Sequence, residues 1–472
     1  MAQNAMWQRK QMLGLPQTAW GGGILAGIAV GGLYGLSPAT VWFLLALPAL
    51  FVWAGHGLGP RERRWIFGVL GAAVLLRLLV IAGLFLLGDH VNEAFAVLFG
   101  DERAIEERSL WTLNLALRRL LAPFAYELIY SAYGKSSIYS VFGWWQYWVG
   151  PAPYGIRLVN MLMWLTAAVA LHRTARRAFG QLPALAGLVA LLFMPTLFVW
   201  SLSVLKEPVY FLLTTCTIVG AMTFARGASL PARLLGAVAA CAAVGAMMSL
   251  RSIGPFVSAG GLLAAAVLWT STRRAWIGAI VLVIAVAGCT WAVRSGTVRT
   301  RVMPQLRLAA VVHIGHVRTP GYAYQLLDRR FYSDFWGDPF QGAKGMSHAE
   351  MARFVVRAAA SVLTVPLPWE AASLASLVLL PQQVAWYILA LLAAAGIAAG
   401  GRRDPLFTWL LVGTIGLGAA VVSLFNGNVG TLVRMRDSIV PLVVWLSAIG
   451  ACAVLEWTAR CFSRGPQHAH SR

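Results

Sequence analysis

About twelve apolar runs, separated by short clusters of arginine, limit this chain to one class of fold. A helix needs roughly 17–25 mostly apolar residues to cross the hydrocarbon core of a bilayer. Runs on that scale are Ala19–Leu36, Thr40–Trp53, Trp65–Leu87, Leu158–Leu171, Leu182–Trp200, Val209–Ala225, Leu234–Leu250, Gly254–Thr270, Trp276–Val293, Val384–Gly400, Leu406–Leu424 and Ile439–Leu455. Thr40–Trp53 and Leu158–Leu171 are short by this measure. Of the 472 residues 59% are hydrophobic and 12% charged, and the mean hydropathy is +0.70. A soluble domain carries about a quarter of its residues charged, so water is the wrong solvent for most of this surface. The expected architecture is an all-α polytopic membrane protein.

The arginine clusters orient it. With the N-terminus inside, the inner loops hold Arg61/Arg63/Arg64, Arg173/Arg176/Arg177, Arg226/Arg233, Arg273/Arg274 and Arg402/Arg403, and the C-terminal tail holds Arg460, Arg464 and Arg472. Short cytoplasmic loops are enriched in Lys and Arg, so both termini are expected in the cytoplasm. The formal charge of +21 is therefore read as topology and not as a nucleic-acid footprint, which needs a basic face on a soluble domain. Arginine far outnumbers the four lysines, and alanine and glycine are abundant, as in a GC-rich bacterial genome. The expected location is the bacterial inner membrane. Five cysteines show no CxxC or Cys/His spacing, so neither a disulfide framework nor a zinc site is indicated. The first run lacks a small-residue cleavage site and reads as a span, not a removed signal.

A two-span hairpin over residues 1–64 is expected to precede one membrane domain over 65–472, elaborated by two long outer loops, 89–157 and 294–383. Long loops translocate largely regardless of charge, so the arginines of the second loop do not contradict this topology. In the first loop, Leu110, Leu113, Leu117 and Leu120 recur at helical spacing, which predicts an interfacial helix with a membrane-facing leucine stripe. The tyrosines and tryptophans that follow, Tyr126 to Trp148, suit the headgroup level.

Three short outer segments hold residues able to do chemistry. Asp101-Glu102-Arg103, followed by Glu106 and Glu107, offers carboxylates just outside the membrane. Such a group is either a general base toward an acceptor hydroxyl or simply the acidic first turn of a helix, and the spacing alone favours the helix start. Lys206-Glu207-Pro208 offers a lysine that either snorkels and pairs with Glu207 or presents a point charge to a phosphate. Asn426-Gly427-Asn428 forms a turn with exposed backbone donors beside Arg434 and Arg436, which are able to grip a phosphate bidentately. Positive charge on a short outer loop breaks the orientation rule, and Arg251 breaks it too. In the second loop His313 and His316 lack the partners of a zinc pattern and read as solvated loop histidines. Pro366-Leu367-Pro368-Trp369 is expected to redirect the chain.

Together these segments resemble the bacterial relatives of the glycosyltransferase C superfamily, which includes protein O-mannosyltransferases and lipid A aminoarabinose transferases. The resemblance rests on Asp101-Glu102-Arg103, the return through Arg157-Leu158-Val159-Asn160, the turn Trp200–Glu207, and Gly427–Arg436 with the Pro-Leu-Pro-Trp element before it. It implies transfer of a sugar from a polyprenyl-phosphate donor to a glycan, lipid or protein acceptor on the outer face. Asp101 or Glu102 is then the base, Lys206, Arg434, Arg436 and Arg251 bind the donor phosphate, and Glu207, Asn428 and Arg157 support them. Two extra spans precede the loop, and Ala104 and Ile105 stand where a tyrosine often follows the carboxylate. An acidic loop of this kind can hold a divalent cation, but Asp101-Glu102 is not a metal motif.

Two rival functions make different demands. An O-antigen polymerase or ligase would centre its chemistry on the arginine-rich second loop. A transporter or flippase for lipid-linked sugars should show charges within spans and an internal repeat; Arg77 is the clearest such charge, and no repeat is visible.

Overall fold

The computed structural model describes residues 17–88, 98, 100–130, 137–152, 154–250, 253–296, 298–319, 322–333, 341, 343, 345–367, 369 and 380–463. They form helices, with one isolated antiparallel bridge, Ala323 to Asn428, in place of any sheet. The helices fall into two compact units. The first is Met1–Leu70, Val74–Leu162 and Leu202–Val204, and the second is Gly71–Ala73, Met163–Ser201 and Leu205–Arg472.

In the first unit lie α1 (Gln17–Leu36), α2 (Pro38–Gly55), most of α3 (Pro60–Leu87), α4 (Gly100–Ala116), α5 (Pro123–Tyr130), α6 (Ser137–Val149) and the start of α7 (Gly155–Phe179). Ser37 caps α2, its hydroxyl accepting from the Thr40 amide, with Pro38 at the first helical position, where no amide is needed. The short apolar run Thr40–Trp53 thus becomes an 18-residue helix, and Leu158–Leu171 lies inside the 25-residue α7. Both meet the length of a crossing. Gly143 brings α6 onto α4: a side chain there would sit 2.6 Å from the Thr112 Cβ and 2.9 Å from the Ser109 carbonyl.

The second unit comprises the rest of α7, α8 (Gln181–Phe193), α9 (Pro195–Leu202, to Ser201), α10 (Glu207–Arg226), α11 (Leu230–Leu250), α12 (Gly254–Arg273), α13 (Ala275–Arg294), α14 (Met303–Arg318), α15 (His348–Thr364), α16 (Leu380–Arg403), α17 (Pro405–Phe425), α18 (Val429–Arg436) and α19 (Val440–Ser463). Small residues let the backbones touch. Gly396 of α16 lies on the Leu446 carbonyl, Gly450 of α19 lies on the Leu392 carbonyl, and Gly220 faces Gly236 across α10 and α11. On one rim Asp404 caps α17 and accepts a fork of two bonds from Arg226, at 2.6 and 2.7 Å.

Nine helices among the described residues are long and apolar enough to cross a membrane: α2, α3, α7, α10, α11, α12, α16, α17 and α19. The run Leu182–Trp200 does not stay whole. It breaks by 63° between α8 and α9. The residue before a proline is pushed out of the helical region, and Met194, before Pro195, sits at ψ 125°. The chain is an all-α protein of the membrane.

Candidate functional site

In the first unit, the candidate residues lie at the N-terminus of α4. Asp101 and Glu102 occupy its first turn, where carboxylates complement the helix dipole. They point different ways: Asp101 is exposed and Glu102 fully buried. The Glu102 carboxylate accepts four bonds. Oε1 takes the Val204 amide at 2.8 Å and Arg157 Nη1 at 3.3 Å; Oε2 takes the Leu98 amide at 2.7 Å and Arg157 Nη2 at 3.1 Å. Arg157 Nη1 also donates to the Leu202 carbonyl at 3.0 Å, and Asn160 Nδ2 donates to the Ser203 carbonyl at 2.7 Å. A carboxylate has about four acceptor sites, and here all are taken. Glu102 is thus an anchor, which fixes the helix start to α7 and to Leu202–Val204.

One turn on, Glu106 shares the buried face of α4, and Ser109 follows, accepting from Gln146 Nε2 at 3.0 Å. Burial pushes the Glu106 carboxyl up to about 7, Arg157 pulls it down, and Glu102 and Glu107 push it up. The sequence held the signal for this residue: a carboxylate four places after Glu102 lies on the same helix face. The leucine stripe predicted for α4 is different from the one found. Leu113 is buried and Leu110 half-buried, while Leu117 and Leu120 lie beyond the helix end and are exposed. The inward face is instead Glu102, Ile105, Glu106, Ser109 and Leu113.

The second unit holds Lys206, Glu207, Asn428, Arg434 and Arg436. Lys206 is the half-buried residue preceding α10, and Glu207 opens that helix. Arg434 Nη2 reaches Glu207 Oε1 at 3.4 Å, and its guanidinium lies 5.5 Å from the centre of the Trp200 ring. Trp200 Nε1 donates to Asp437 Oδ2 at 2.8 Å. Burial raises the Asp437 carboxyl to about 6, against the pull of Trp200 and Arg436. Glu207, Arg434, Trp200 and Asp437 are therefore one cluster.

Arg436 is buried and turned elsewhere. It donates to the Val362 and Val365 carbonyls at 3.3 and 3.1 Å and to Gln383 Oε1 at 2.9 Å, with its guanidinium 4.8 Å from the centre of the Trp386 ring. It closes the C-terminal end of α15, whose Leu363 and Thr364 carbonyls accept from Trp386 and Tyr387. The terminal carbonyls of a helix need outside donors, and α15, running into Pro366, has no glycine to cap it. Burial lowers the Arg436 pKa to about 10. Arg251 and Pro368 lie outside the described residues.

The Asn-Gly turn is likewise committed. Asn428 caps α18, accepting from the Thr431 amide; the Val429 amide donates to the Tyr322 carbonyl at 2.8 Å, and the Gly427 carbonyl accepts from the Tyr324 amide at 3.1 Å. A side chain at Gly427 would strike the His313 carbonyl. His313 is not a solvated loop residue: it is buried on α14, with Nδ1 at 2.6 Å from the Asn426 carbonyl and Nε2 at 2.9 Å from the Tyr332 hydroxyl. Tyr332 accepts from the Leu326 and Leu327 amides, so its hydroxyl donates to Nε2, and Nδ1–H donates to Asn426. Tyr324 donates to the same carbonyl at 2.7 Å. Burial pushes the His313 pKa down to about 4.

This hub holds Tyr322–Leu326 along one side of an open groove of about 760 Å³, which Arg357, Ala360 and Thr364 of α15 and Leu367 also line. Nothing in the sequence signalled it. Among the described residues no group of three or more His, Cys, Asp or Glu side chains is placed to hold a metal ion. No protein-family model, curated protein or solved structure matches this chain.

Proposed function

We propose that the protein is a membrane glycosyltransferase of the glycosyltransferase C type. In this reading it has about twelve spans and cytoplasmic termini in a bacterial inner membrane. It moves a sugar from a polyprenyl-phosphate donor to an envelope glycan, lipid or protein acceptor on the outer face. One observation carries it: Asp101 is an exposed carboxylate whose backbone is fixed by the four-donor anchor of the adjacent Glu102. A base is effective when it is held ready for a proton it does not yet own. Asp101 takes the proton of the acceptor hydroxyl, the acceptor oxygen bonds to the anomeric carbon, and the bond from that carbon to the phosphate oxygen breaks. The lipid phosphate leaves with its charge, and a lipid-borne donor reaches such a site laterally through the bilayer.

Of the proposed cations, Lys206 and Arg434 suit the phosphate better than Arg436, which is committed to the end of α15. The test is a deletion strain complemented with wild type, Asp101→Asn or Arg434→Gln, read by mass spectrometry of polyprenyl-linked and outer-surface glycans. Wild type should restore a product that Asp101→Asn does not, with the donor accumulating. Full rescue by Asp101→Asn would overturn the base.

A further inference from the structure

The groove of the second unit has an open backbone edge. Tyr322 and Tyr324 pair with Val429 and Gly427, and alternate residues of an extended segment direct their N–H and C=O to opposite edges. The amides and carbonyls of Ala323 and Gln325 therefore point away from the Asn-Gly turn, and among the described residues they have no hydrogen-bond partner. Five consecutive residues, Tyr322 to Leu326, line the groove, as happens when a cleft runs along an edge and not over one face. Arg357 of the facing helix reaches across to the Leu326 carbonyl at 3.1 Å and closes one end. Arg357 is the charged residue of the lining, and it also meets the Asp328 carboxylate at 3.2 Å, which Arg353 approaches at 3.8 Å.

An unpaired strand edge facing a helix across a cleft is the arrangement that captures extended peptides by strand addition. We infer that this groove docks an extended, acidic polypeptide segment, which pairs antiparallel with Ala323 and Gln325 while its acidic side chains meet Arg357. Four backbone bonds are available in that register, an amide and a carbonyl from each of the two residues. A saccharide would use Arg357 and the Thr364 hydroxyl but would leave the backbone register unused. The inference does not depend on the transfer reading, because it is read by binding and not by turnover.

The test uses the full chain in nanodiscs and two fluorescein-labelled decapeptides of alternating Thr and Val, with Asp in one and Lys in the other at two of the polar positions. Anisotropy should show the Asp peptide binding at least fivefold tighter than the Lys peptide. Gln325→Pro deletes one outward N–H that has no partner among the described residues, and should weaken binding about tenfold while thermal unfolding stays as in wild type. N-methylation of alternate amides in the peptide, which leaves the protein untouched, should do the same. Binding of neither peptide, or binding indifferent to both Gln325→Pro and N-methylation, overturns the inference. Displacement of the Asp peptide by maltohexaose also overturns it and assigns the groove to sugars.

Discussion

Replacing Glu102 by Gln separates an anchor from a catalyst. The carboxamide keeps the shape of the side chain but has one acceptor oxygen, so two of the donors now arriving from Leu98, Val204 and Arg157 meet an NH2 group. Arg157, itself buried, also loses its counter-charge. Breaking a buried pair from one side costs about 3–5 kcal/mol, because the remaining charge stays desolvated. For a unit of this size that corresponds to a fall on the order of 10 °C in midpoint. Asp101→Asn, at an exposed first-turn position, should cost no more than about 1 kcal/mol, the value of a charge at a helix dipole. Tryptophan-fluorescence unfolding of the purified variants measures both, and the Glu102→Gln, Arg157→Met cycle isolates the pair. If Glu102→Gln unfolds with the wild-type midpoint, the four-donor anchor is not what holds α4, and the preorganisation of Asp101 loses its basis.

Two buried groups outside the spans give opposite pH dependences. His313 is held near 4, below its ordinary value of 6.5, so its contribution is present above pH 6.5 and is lost as pH falls through 4, up to about 3 kcal/mol. Thermal midpoints between pH 7 and 4.5 should drop, and should drop less in a His313→Asn variant. Glu106 is held up at about 7 from 4.5, so its contribution is present below pH 4.5 and is lost as pH rises through 7. Glu106→Gln should flatten that limb, with no change if the carboxyl titrates normally. Gly396→Ala drives a methyl into the Leu446 carbonyl; overpacking of this kind costs about 1–3 kcal/mol, visible as lower yield and a lower midpoint.

Length and hydropathy made legible the nine runs that are, among the described residues, helices long and apolar enough to cross a membrane, because lipid forces every crossing to satisfy its own backbone. The short runs extended once capping and polar ends were included, as Ser37 and Pro38 did for α2. The break at Pro195 was also readable, since proline acts on the residue before it whatever the solvent. The division of labour among the charged residues was not. Asp101 and Glu102 are adjacent in sequence and opposite in environment, because a helix turns about 100° between them. Arg434 and Arg436 part in the same way, one to Glu207 and Trp200, the other to the end of α15. The partners that decide these fates, such as Val204, Gln383 and Asn426, lie tens to hundreds of positions away and carry no local signature.

A phosphate arriving in the second unit would meet these commitments in order of their strength. Arg436 would have to abandon Gln383 and the Val362 and Val365 carbonyls, which sets its cost at several hydrogen bonds of about 1 kcal/mol each or more. Arg434 meets Glu207 at a longer 3.4 Å, and its position over the Trp200 ring does not depend on that contact. Exchanging Glu207 for a phosphate oxygen would keep the arginine's charge compensated throughout. In the proposed reading Glu207 holds the place that the anion would take. Glu207→Gln should then tighten binding of undecaprenyl phosphate to the protein in nanodiscs by a fewfold, whereas Arg434→Gln should weaken it by tenfold or more. Equal affinity in all three proteins would show that the cluster of Trp200, Glu207, Arg434 and Asp437 is purely a packing device.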